Sequence, residues 1–445
     1  MLSIPNLLSP MQIEKSCLQF RRWQLTHQNA LLLLVVLSAS ALTLVYISNA
    51  VLWRTEQRRW MEKYGAGRVL NEFVGNPVAL SVLPQLDLEI NGNDGAAVLR
   101  YAHGLYKVTR LPEFDHDDGI AFYTELRDAF VSGSVGKLYT ADAVYFSGGC
   151  AHDTAPFPIH NVRRTRPEDI IHLDHALILP QLWGNAYYHW MIEGLPRIAL
   201  MIDYINAHPD LKIIMHHHQV AGSVLPLLGI STERMIWYGE GSVYFVRHAV
   251  TPSPSGCGRA ISTATSRLKK LLRSAIRTQY PDLIRTTTPK PFTMVVQSRG
   301  DSNRAITNHA ELMMALRRAQ PDAVVLEFDP NEDLLSTVAK HFHADIVIGP
   351  HGAGFSNIVF APEDSALIEC HPKIGNNAEE GPQQINGCHQ RTAKRTGMTA
   401  VMFVEDNGDA ETKFTVNVTR VLDAVNRIRF KLSLEDLDQY SSKSF

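Results

Sequence analysis

Asp345-Ile-Val-Ile-Gly-Pro-His-Gly-Ala-Gly-Phe-Ser-Asn-Ile-Val-Phe360 is an apolar run that breaks at His351-Gly-Ala-Gly354 and resumes as a second apolar stretch. The first run, residues 345–348, predicts a strand, and the second, from Gly354 onward, predicts a helix. Between them, glycines let the backbone approach a ligand closely, and free N–H groups at a helix start hold an anionic oxygen. The stretch reads as a phosphate cradle, and its neighbours decide what kind.

Working outward, strands are expected over residues 292–297, 323–328, 345–348 and 366–368. Helices are expected between them, over 308–319, 331–342 and from 354. Such alternation implies a parallel sheet with right-handed crossovers, and ligands bind beyond the carboxyl ends of its strands, where His351 falls. Upstream, a strand at 176–179, an amphipathic stretch at 187–207 and a strand at 212–215 form a second strand, helix, strand unit. Strand-like pieces at 235–238 and 243–250 and a basic helix at 261–280 follow it. Arg285-Thr-Thr-Thr-Pro-Lys-Pro291 has the composition of a linker. Residues 71–155 show weak patterns, with turn-rich pieces at Asn91-Gly-Asn-Asp-Gly95 and Ser147-Gly-Gly149. The fold class is α/β.

A chain of 445 residues, 45% hydrophobic and 20% charged, can bury two or three cores. Its formal net charge of −2 offers no excess of cations to grip a polyanion, so nucleic acid is excluded as the main partner. Residues 29–53 carry no charged side chain and end at Trp53. That run exceeds the roughly 20 residues needed to cross a bilayer and predicts a transmembrane signal anchor. Lys15, Arg21 and Arg22 precede the span, while Arg54, Arg58, Arg59, Lys63 and Arg68 follow it. Positive charge stays cytoplasmic as a rule, but long domains translocate regardless, so these flanks do not settle the orientation. The expected organisation is a tail (1–28), the anchor (29–53), a stem (54–70), an α/β domain (71–285), a linker (286–291) and a second α/β domain (292–445).

The five cysteines, Cys17, Cys150, Cys257, Cys370 and Cys388, show no CxxC spacing, which argues against a zinc knuckle or a thioredoxin-like site. Cys370 and Cys388 are open to a bridge or to two buried thiols. Asn417-Val-Thr is the N-glycosylation sequon.

Three segments follow expected strands and carry polar residues to the ligand end of a sheet. In the first, His189 and Glu193 are four apart, so on a helix they share a face and can act as a base and its partner. In the second, Arg299 and Arg304 offer guanidinium forks suited to phosphate oxygens. The third is the His351 turn. The His216-His-His218 run and His341 with His343 lack HExxH or comparable spacing and read as solvated or structural histidines.

In order and rough spacing, the three segments resemble glycosyltransferase family 61 over about residues 170–372. The matching positions are His189 with Glu193; Ser298-Arg299 with Arg304 and Asn308; and His351-Gly-Ala-Gly354 with Asn357. The resemblance implies a GT-B-like fold: two Rossmann-like domains facing a cleft, the C-terminal one holding a nucleotide sugar. It implies an inverting transferase that moves a UDP-linked xylose, arabinose or N-acetylglucosamine to a hydroxyl of a glycan or glycoprotein. Glu193 would be the base, with His189 orienting or replacing it, although the family commonly has Asp at that position. Arg299, Arg304, Asn308, His351, Gly352, Ala353, Gly354 and Asn357 would hold the nucleotide sugar, with Glu369 as a ribose contact. The resemblance implies no cofactor or metal, since GT-B enzymes as a rule release the diphosphate without a bound metal. The anchored protein would sit in the Golgi or endoplasmic reticulum with its catalytic part luminal. A catalytically silent member that binds a nucleotide or glycan for a partner is the alternative. A lipase-like hydrolase lacks its nucleophile elbow, because Gly354-Phe-Ser-Asn-Ile358 fails at the last position.

Overall fold

The computed structural model describes residues 96–97, 106–115, 121–133, 136–139, 144–145, 165–253, 255, 258, 260–372, 376–377, 381–382, 386–409 and 411–434. The expected tail, anchor and stem lie outside these residues, as do Cys17, Cys150 and Cys257. Among the described residues, no helix is long and apolar enough to cross a membrane. Residues 72–445 cluster as one unit.

The first sheet contains β1 (Ala96–Ala97), β2 (Tyr106–Arg110), β3 (Phe122–Ser132), β4 (Lys137–Tyr139), β5 (Val144–Tyr145), β6 (Ile171–Ile178), β7 (Lys212–Met215), β8 (Met235–Trp237) and β9 (Tyr244–Pro252). Its order is β1-β2-β3-β9-β6-β7-β8, with β4 and β5 joined to β3. Strands β9, β6, β7 and β8 pair in parallel, as the strand, helix, strand reading requires. β3 runs antiparallel to β9, and β1, β2, β4 and β5 extend that side as antiparallel strands. The Rossmann-like half is thus joined to a meander built from the region whose sequence patterns are weak.

The expected helix over 187–207 is instead three pieces: a π-helix at His189–Gly194, then α-helices at Leu195–Leu200 and Ile202–Ala207. Pro196 accounts for the first piece. It has no N–H to give to the carbonyl four residues back, and a wide π turn absorbs the defect. The Ser262–Gln279 helix buries Ala264, Leu268, Leu272 and Ile276 in a four-residue stripe. Leu268, Leu272 and Ile276 pack with Met191, Ile192, Leu195 and Ile198 and also with Phe342, Val359 and Phe360. Arg273 Nη1 donates to the Phe342 and Phe360 carbonyls at 2.8 and 2.5 Å. One core therefore spans the two sheets across residues 285–291, which form neither helix nor strand.

The second sheet contains β10 (Thr293–Gln297), β11 (Val324–Phe328), β12 (Ile346–Pro350) and β13 (Ala366–His371). A two-stranded pair, β14 (Asn376–Asn377) and β15 (Gly381–Pro382), precedes its last strand, β16 (Thr399–Val404). The order β11-β10-β12-β13-β16 is parallel throughout. Met294, Val296, Ile346 and Ile348 face one core, and Val295 and Val347 face the other. This period of two in strands buried on both faces is what a doubly covered parallel sheet demands. The expected helices over 308–319 and 331–342 are His309–Ala319 and Leu334–His341, the latter capped by Asp333, which accepts from the Ser336 N–H at 3.0 Å. The helix expected from Gly354 is a 3₁₀ segment, Ala353–Val359, too short to carry a substantial dipole. Asn417 of the sequon is exposed and caps Val418–Arg429 by accepting from the Arg420 N–H.

Candidate active site

β12 ends at Pro350, and the next residue, His351, donates its backbone N–H to the Cys370 carbonyl of β13 at 2.9 Å. That bond aims the His351 ring at the neighbouring strand end, where Nδ1 meets Glu369 Oε1 at 2.6 Å. His371 stacks on the His351 ring at 4.5 Å, with Nε2 3.5 Å from the same carboxylate. Burial alone would raise the Glu369 carboxyl, but hydrogen bonds from His351 and His371 outweigh it and hold the carboxyl well below its usual range. Burial lowers the His351 imidazole, against the pull of Glu369. A neutral His351 donating Nδ1–H to a carboxylate satisfies both directions and leaves Nε2 as a lone pair. Glu369 is 0% exposed. The expectation that it contacts a ribose is therefore corrected: a carboxylate sealed in the core orients a histidine.

The glycine after His351 is required by close approach. A Cβ on Gly352 would lie 1.8 Å from Arg299 Nη1. Arg299 crosses the turn there, with Nη1 donating to the His351 carbonyl at 3.2 Å and Nε to the Asn303 carbonyl at 2.9 Å. Arg304 takes a left-handed φ of 62°, fixed where its N–H donates to the Thr412 carbonyl at 2.8 Å. Two of the expected ligand contacts are structural. Asn308 exchanges bonds with the Val416 backbone, each 3.0 Å long. Asn357, 1% exposed, accepts from the Tyr187 hydroxyl at 2.5 Å.

On the other sheet, Leu179 to Tyr188 leads from β6 into the π-helix that begins at His189. His189 Nδ1 lies 2.7 Å from Glu193 Oε2, which also accepts from Gln181 Nε2 at 3.1 Å. Glu193 Oε1 accepts from the Gly258 N–H at 2.8 Å. Glu193 is 2% exposed, and the His189 side chain is 17% exposed. The expected order of the pair is reversed: the carboxylate is enclosed and occupied, and the imidazole is the group that reaches open space. Arg197 lies fully buried one turn on, with Nη1 donating to the Leu179 carbonyl at 2.9 Å.

His189 and His351 line one cavity of about 360 Å³. Trp183, Tyr188 and Gly258 join His189 from the first sheet, and Arg304, Gly352 and Ala353 join His351 from the second. A third wall consists of Asn386, Cys388, His389 and Arg391. Of the expected site residues, His189, Arg304, His351, Gly352 and Ala353 line this cavity, whereas Glu193, Arg299, Asn308, Gly354, Asn357 and Glu369 do not. Trp183 was missing from the sequence reading. It is 54% exposed, has a φ of 57° and sits 5.3 Å from the His189 ring. The third wall was missing too, and its one sequence signal is the adjacent pair Cys388-His389 three residues before Arg391.

Cys370 and Cys388 are both free and buried, so the bridge between them is not formed. Ligand atoms of His351, Cys388 and His389 lie within 4.8 Å of one another, as do those of His351, Glu369 and His371. Of the histidines in the two other runs, His217 is exposed, and His343 Nε2 meets the Ile284 carbonyl at 2.7 Å. His341 Nδ1 bonds the Thr337 carbonyl, and burial lowers both His341 and His216 to about 4.

Residues 187–368 match the family model described as Glycosyltransferase 61. The match begins just before His189 and ends one residue short of Glu369. No curated protein matches the chain.

Proposed function

We propose, from the match of residues 187–368 to the Glycosyltransferase 61 family model, that the chain is an inverting transferase acting on a nucleoside-diphosphate sugar and a glycan or glycoprotein hydroxyl. The observation that carries this reading is the cavity itself, which has a carboxylate-backed imidazole on one wall and a guanidinium with a glycine turn on another. An inverting transfer needs a base on the acceptor side and electrostatic stabilisation of the leaving diphosphate.

In this mechanism, Glu193 accepts Nδ1–H from His189, which fixes the tautomer and leaves Nε2 as the base. The acceptor hydroxyl gives its proton to Nε2 while its oxygen attacks the anomeric carbon. The bond from that carbon to the diphosphate oxygen breaks with its electron pair, and the diphosphate leaves. Glu193 stabilises the imidazolium that forms, in the way a buried acid supports a catalytic histidine elsewhere. Arg304 and the Gly352 and Ala353 amides receive the departing negative charge. Arg299 holds the turn in shape through the His351 carbonyl. Trp183 offers an exposed aromatic face for a sugar ring at the His189 side. The donors that fit the family resemblance are UDP-linked xylose, arabinose or N-acetylglucosamine, with residues 29–53 anchoring the chain in a Golgi or endoplasmic reticulum membrane.

Incubation of the chain with a panel of nucleotide sugars and glycan acceptors tests the proposal. Transfer from at least one donor, lost in His189→Gln, is expected. Nucleotide binding without turnover would replace it by the silent reading, and neither binding nor turnover would remove both.

A further inference from the structure

We propose that His351, Cys388 and His389 form a transition-metal site of the zinc class in the wall of the cavity. The three residues come from two places in the fold, the end of β12 and the first turn of the Cys388–Arg395 helix. Their ligand atoms lie within 4.8 Å of one another, and all three residues are buried. A tetrahedral zinc site with bonds of about 2.0 to 2.3 Å spaces its ligand atoms by roughly 3.5 Å, so small side-chain movements complete it.

Three further observations point to a ligand there. His389 is 2% exposed and lines the cavity, and its Nδ1 has no hydrogen-bond partner among the described residues. Glu369 is 0% exposed and its Oε2 is likewise unpartnered. Buried polar atoms are rarely left this way unless a water or ion is bound. His351 also gives Nδ1 to Glu369 at 2.6 Å, the carboxylate–histidine arrangement that orients a metal-ligating imidazole.

Two imidazoles and a thiol are a borderline-soft donor set, which selects zinc-like cations over magnesium or calcium. With three protein ligands, the fourth position belongs to the cavity, as in zinc sites that act on a bound molecule. That molecule is an anionic oxygen, from water or from a diphosphate. Metal binding stands independently of the transferase reading, because its readouts need no turnover.

The test uses the full-length chain in detergent, purified without a metal-affinity tag or chelator. Elemental analysis is expected to find about one zinc per chain. Replacement by Co²⁺ is expected to give a thiolate-to-cobalt charge-transfer band and tetrahedral ligand-field bands. Cys388→Ser should abolish the charge-transfer band, and His389→Ala should reduce bound zinc at least tenfold. Less than a tenth of an equivalent of zinc, together with no cobalt spectrum from a cooperatively melting wild-type chain, overturns the proposal whether or not the variants fold. Full zinc content with no nucleotide binding would defeat the transferase reading and leave the metal site standing.

Discussion

Tyr187 donates its hydroxyl to Asn357 Oδ1 at 2.5 Å, which ties the segment entering the His189 helix to the 3₁₀ turn after Gly352. Burial raises the Tyr187 phenol, so it remains a donor throughout the physiological range. Tyr187→Phe leaves a buried amide oxygen without its donor and should destabilise the chain by about 1–3 kcal/mol. Urea unfolding checks the cost, and an unchanged midpoint would show that another group or water takes over.

Glu193→Gln keeps an acceptor oxygen for the Gly258 N–H but removes the charge that supports a protonated His189. Turnover should fall on the order of a hundredfold while nucleoside diphosphate binding is retained. Equal activity of the two proteins would show that the Glu193 charge does not support the base.

Gly352→Ala places a methyl group within 1.8 Å of Arg299 Nη1, the mobile end of a side chain. The guanidinium should swing off the His351 carbonyl without disturbing the core. Melting should shift little, and nucleoside diphosphate affinity should drop about tenfold, in line with the loss of one charge-assisted hydrogen bond. Calorimetric titration measures this, and wild-type affinity would show that Arg299 has no part in shaping the turn.

His341 provides the pH dependence. It is 0% exposed, and burial lowers it to about 4. The unfolded value is about 6.5. A histidine depressed on folding contributes stability that is fully present above the unfolded value and is lost as pH falls toward the folded one. Between pH 7 and pH 5, wild type should lose about 2 kcal/mol more than His341→Leu. Urea titrations at the two pH values decide it, and parallel losses would mean that the imidazole protonates without cost.

The C-terminal sheet was legible because β10, β12 and β13 are buried on both faces and so read as unbroken apolar runs between helices of ordinary length. β1 to β5 were not, since they are antiparallel, several are only two or three residues long, and turn-rich pieces surround them. Motif spacing located the His189 and His351 segments but not the direction of their side chains. Glu193 and Glu369 both looked like site carboxylates, and both are enclosed behind histidines, which only tertiary packing decides. Cys388 was legible only as a bridge candidate and His389 not at all, because their neighbour in the cavity, His351, lies far back in the sequence on another element. The wall they form exists only once the Cys388–Arg395 helix packs beside β13 and β16.

The π turn from His189 to Gly194 acts as a phase shifter. Successive residues of an ordinary helix are rotated by about 100°, so one residue more or fewer before Leu195 swings everything upstream by that angle. A chain shortened by one residue here could keep His189, Glu193 and all their neighbours in name and still point the imidazole away from the cavity. What this segment encodes is a count as much as a composition, and a comparison of residue types alone would overlook its loss.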